Sequence, residues 1–157
     1  MIINQAYKYH RSILSGITRG EYNDICNFFK ENIAADLKNG KKEFATHDYT
    51  GGDNFDWCEL DLPVKRLFEC RLEQYSKKYS PDEAHSRAIK QAGIDAGWIF
   101  KWVIDCLATD FESINIKHNG IFVKCYKIVK STPIRHLAYD MDTSNKFVDT
   151  VYAISIK

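Results

Sequence analysis

Ala96-Gly-Trp-Ile-Phe-Lys-Trp-Val-Ile-Asp-Cys-Leu107 and, after a short connection, Phe111-Glu-Ser-Ile-Asn-Ile-Lys-His-Asn-Gly-Ile-Phe-Val-Lys-Cys-Tyr-Lys-Ile-Val129 decide the fold. The first stretch is apolar nearly all round, as a helix is when it is buried inside a fold rather than laid on its surface. After Asp110 the period drops to two. Ile114 and Ile116 alternate with polar neighbours, and β-branched and aromatic residues continue to Val129. His118-Asn119-Gly120 supplies a hairpin turn between them, because Asn-Gly readily reaches the positive φ angles of a type I′ turn. Helices first and antiparallel strands afterwards make an α+β arrangement.

Upstream of that junction, Ser80-Pro-Asp-Glu83 opens the central helix with a cap, a proline at the first position and a glutamate three residues on. Ala84, Ala88, Ala92, Ala96, Ile99 and Val103 then share one face, where small residues let another element come close. Gly93 and Gly97 each cost ~1 kcal/mol against alanine and predict a kink, or a break into helices 81–92 and 96–107. Asp61-Leu-Pro63 starts a helix whose stripe is Val64, Leu67, Phe68, Leu72 and Tyr75. Thr18-Arg-Gly-Glu21 reads as a capping box ahead of Tyr22, Ile25, Cys26, Phe29, Ile33 and Leu37, with a stop at Asn39-Gly40. A first helix is expected over Ile3–Ile17. Downstream, Leu137–Met141 and Phe147–Ile156 read as a second hairpin. The expectation is one α+β domain over residues 1–157: about four helices, then an antiparallel four-stranded C-terminal meander, plus an acidic β-hairpin near residues 44–60.

That acidic segment is where composition departs from an ordinary surface. Between Glu43 and Asp61 lie Glu43, Asp48, Asp53, Asp56, Glu59 and Asp61, with Phe55 and Trp57 among the aromatics and no Lys or Arg. Such a run attracts cations and basic partners. Phe44–Tyr49 and Asn54–Leu60 both read as strands around Thr50-Gly-Gly-Asp53. The two-residue loop would set Asp48 opposite Phe55, His47 opposite Asp56 and Thr46 opposite Trp57, with an ion pair between His47 and Asp56.

The chain as a whole is nearly neutral, with 22 bases against 21 acids, which argues against coating nucleic acid through bulk positive potential. The charge is segregated: about +1 over residues 1–40, −4 over 41–112 and +4 over 113–157. Hydrophobic residues make up 45% and charged ones 27%, the balance of a globular protein. Five scattered cysteines form neither a disulfide framework nor a zinc-ribbon spacing. With no leader-like opening and no stretch of ~20 apolar residues, a reducing cytoplasm and no membrane contact are expected. The excess of Lys over Arg, and the many Ile, fit a bacterial or phage genome rich in AT.

Catalytic readings find little to hold. His47 with Asp48, Asp53 and Asp56 suggests a small metal-dependent hydrolase, but the spacing lacks the Asp-x-Asp-x-Asp-Gly register and the twelfth-position Glu of a calcium loop. Cys58 is the best-placed thiol, yet Asp56, Glu59 and Asp61 around it would raise its pKa rather than lower it. No cofactor or metal is expected. A second reading uses the C-terminal bases Lys117, Lys124, Lys127, Lys130, Arg135 and Lys146, with Tyr126 between two of them, as a sheet that binds single-stranded nucleic acid. The reading preferred is a non-enzymatic interaction protein, an inhibitor or adaptor of the kind phages and mobile elements carry. It would dock a basic surface of a partner protein, such as a nucleic-acid-binding one, through Asp48, Asp53, Asn54, Phe55, Asp56, Trp57 and Glu59. The oligomeric state is left open.

Overall fold

The computed structural model describes residues 12–13, 15–50, 62–107, 111–118 and 121–128. Helix α1 spans Arg19–Lys38, strand β1 Glu43–Ala45 and a 3-10 turn Thr46–Tyr49. Helix α2 spans Lys65–Ser76 and α3 Pro81–Leu107, followed by β2 (Phe111–His118) and β3 (Ile121–Ile128).

Local chemistry accounts for most of these boundaries. At the start of α1 the Glu21 amide donates to Thr18 Oγ1 at 3.1 Å, and the Thr18 amide donates to Glu21 Oε1 at 2.8 Å. Together they satisfy two of the amides that a helix start leaves unpaired. At its end Gly40 adopts φ +90°, and its amide reaches Leu37 O while that of Lys41 reaches Asp36 O. Those two bonds form a Schellman motif, which needs a residue at ease in the left-handed region. Ser80 caps α3, with the Glu83 amide 3.4 Å from its Oγ. From there α3 runs 27 residues without interruption through Gly93 and Gly97, about 40 Å at 1.5 Å per residue.

The core lies between α3 and its neighbours. Tyr22, Ile25, Phe29 and Ile33 of α1, Leu67 and Phe68 of α2, and Ala88, Ala92, Ala96, Ile99 and Phe100 of α3 are all buried. Phe100 is a hub: Phe29 meets it edge-on at 5.3 Å, Tyr49 stacks on it at 5.8 Å and Tyr126 packs against it at 5.7 Å. Ile99 is fully buried, whereas Trp102 is only partly so. The sheet is antiparallel in the order β1-β3-β2. Phe44 lies opposite Tyr126 and Ala45 opposite Cys125. Since consecutive strand residues point to opposite faces and all four are buried, both faces are covered at this point.

The expected architecture is corrected in four respects. Among the described residues there are three helices and one three-stranded sheet, not four helices followed by a four-stranded meander. The third strand comes from residues 43–45 and takes the edge of β3 that a following strand would have used, so a simple meander cannot continue there. The first expected strand of the acidic hairpin, 44–49, is cut short: the strand ends at Ala45, residues 46–49 turn into a 3-10 helix, and β1 pairs with β3, while the expected partner residues 54–60 lie outside the described residues. Helix α2 begins at Lys65, after turns in which the amides of Lys65, Arg66 and Leu67 bond to the carbonyls of Leu62, Pro63 and Val64. It does not start at the Asp61-Leu-Pro63 signal. The central helix also needs no break. The β2–β3 pairing sets His118 opposite Ile121, the register a two-residue Asn119-Gly120 loop requires. The expected first helix, apart from its last residues, and the hairpin over 137–156 lie outside the described residues.

Candidate functional site

The residues nearest the acidic run are those where the chain leaves β1. Asp48 Oδ2 accepts the Ala45 amide at 3.1 Å and the Lys41 ammonium at 2.9 Å. Accepting that amide three residues back is what curls the chain after Ala45 and prevents an extended second half. Lys41 arrives because the Schellman turn at Gly40 folds it back over the end of α1, where it also lies 3.6 Å from Asp36 Oδ2. Its ammonium sits 5.2 Å from the Tyr49 ring centroid and 5.7 Å from that of Phe44, within the range of a cation–π attraction.

Tyr49 completes the cluster by donating its hydroxyl to Asp36 Oδ2 at 2.6 Å. Burial, the hydrogen bond to Asp36 and the charges of Asp36 and Asp48 together push that hydroxyl far above the usual tyrosine range, so it stays a proton donor. His47 Nε2 lies 3.4 Å from Asp48 Oδ1. The expected partner of His47, Asp56, lies outside the described residues. Thr50, fully buried, donates its hydroxyl to Thr46 O. On the far side of the run, Val64 is also fully buried and Leu62 packs on the same core.

Of the residues proposed to bind a partner, Asp48 alone falls among those described. It is a root for the run rather than a free charge, since Lys41 already neutralises it. Asp53, Asn54, Phe55, Asp56, Trp57 and Glu59, with Cys58 and Asp61, lie outside the described residues. Asp36, Lys41 and Tyr49 escaped the sequence reading. The one available signal was the Asn39-Gly40 stop, which turns the next side chain back towards the helix end.

A second polar cluster, also unforeseen, ties α2 to α3. Arg71 Nε donates to Asp95 Oδ2 at 2.7 Å and Arg71 Nη2 to Asp95 Oδ1 at 3.2 Å. Gln74 accepts from Arg71 Nη1, Ser12 Oγ lies 3.4 Å from Nη2, and Gln91 donates to Asp95 Oδ1. Both ions are buried. Burial alone would lower the Arg71 pKa, but the bonds and charge of Asp95 raise it. With its charges paired and its donors engaged, this is a structural tie, in which mutual attraction offsets the cost of burying both ions.

Burial pushes the Cys70 and Cys125 thiols up, Glu43 adding to the effect at Cys125, which opposes formation of a nucleophilic thiolate. Among the described residues no group of three His, Cys, Asp or Glu could hold a metal ion, and His47 has only Asp48 of the proposed set described beside it. In the sheet, Lys124 and Lys127 are exposed, but Tyr126 is buried against Phe100. The ring that would have stacked on a base is therefore part of the core. Among the described residues no helix is long and apolar enough to cross a membrane. No family model matches the chain, and comparison with curated proteins and with solved structures finds no match.

Proposed function

We propose that the chain is a non-enzymatic interaction protein, an inhibitor or adaptor, that docks a basic surface of a partner protein through the acidic and aromatic run ending at Asp61. The observation that carries this reading is the run itself: six carboxylates, Phe55 and Trp57, and no base between Glu43 and Asp61. Two structural features support it. Asp36, Lys41, Asp48 and Tyr49 fasten the start of the run, and buried Val64 fastens the chain just beyond its end. A segment anchored at both ends loses less freedom on docking than a tail would. Cys26, Cys70 and Cys125 are buried and form no disulfide, which suits action in a reducing cytoplasm.

Capture of the partner from the native host, followed by stopped-flow association, tests the proposal. Asp53→Lys with Asp56→Lys should slow association severalfold at low salt while the thermal melt stays unchanged. The loss should shrink at high salt, because exposed charges are screened beyond ~10 Å at 0.1 M. Phe55→Ala should act on dissociation instead, as the loss of an anchor does. A double lysine variant that binds as fast and as tightly as the parent refutes the reading.

A further inference from the structure

We draw no further inference here: the strongest candidate, the side of α3 where Gly93 has open space beside the exposed Ile94 and one turn before Gly97, is a small-residue stripe on a helix, and nothing in the structure shows what covers it.

Discussion

Single residues already divide into those the fold requires and those it merely tolerates. Gly40 is required: at φ +90° a side chain meets no neighbouring atom, so any penalty comes from the backbone alone. Gly40→Ala should cost ~1 kcal/mol, read as a fall in the urea midpoint. Gly93 is the converse. It lies inside α3 with open space where a Cβ would sit, and Gly93→Ala should stabilise the protein by up to ~1 kcal/mol, read as a rise in the same midpoint. Glu21 gives a pH signature. Burial acts to raise its carboxyl pKa, but the Thr18 amide and the charge of Arg66 outweigh that and hold it below the ordinary value. A depressed folded pKa contributes stability above the unfolded value, near 4.3, and loses it as the pH falls through the folded one. Glu21→Gln should therefore lower the melting temperature at pH 7 and narrow the gap to the parent in acid. The Thr18 and Ser80 caps were legible because a cap is written within four residues. The role of Asp48 was not, since it depends on Lys41 being turned back by Gly40 and on Asp36 a helical turn earlier.

Between elements, the α2–α3 contact rests on one buried ion pair and on close packing. Asp95→Asn leaves the Arg71 charge buried without its counterion and should cost ~3–5 kcal/mol, seen in chemical denaturation. Replacing both partners, Arg71→Met with Asp95→Leu, should recover most of that loss, since apolar groups of similar volume carry no desolvation penalty. Ile99→Ala, at a fully buried site, should cost ~2–5 kcal/mol by leaving a cavity. The helices were the readable elements because their stripes repeat over 12 to 27 residues. Strand β1 was unreadable as a partner of β3: three residues carry no period, and Ala45 meets Cys125 about 80 residues downstream. Arg71 and Asp95 were likewise hidden, because a charged residue on a helix is ordinarily solvated and nothing local marks these two as facing one another.

Across the whole molecule the charge is segregated, and the acidic middle is rooted on a core shared by α1, α3 and β3. Asp48 should therefore behave unlike the acids beyond it. Asp48→Ala removes the acceptor for the Ala45 amide and the Lys41 ammonium and should cost ~1 kcal/mol. Because Lys41 lies against that carboxylate and offsets part of its field, the partner's association rate should fall less than it does for Asp53 and Asp56 in the same stopped-flow assay. The pairing of β1 with β3 also imposes an order in time. Glu43 lies opposite Lys127 and Phe44 opposite Tyr126, so the strand that leads into the acidic run cannot find its mate until the ribosome has translated four-fifths of the chain. Contacts this distant in sequence close late, after the local helices. A nascent chain halted before Ile121 would carry all six carboxylates but lack the strand that fixes their starting point.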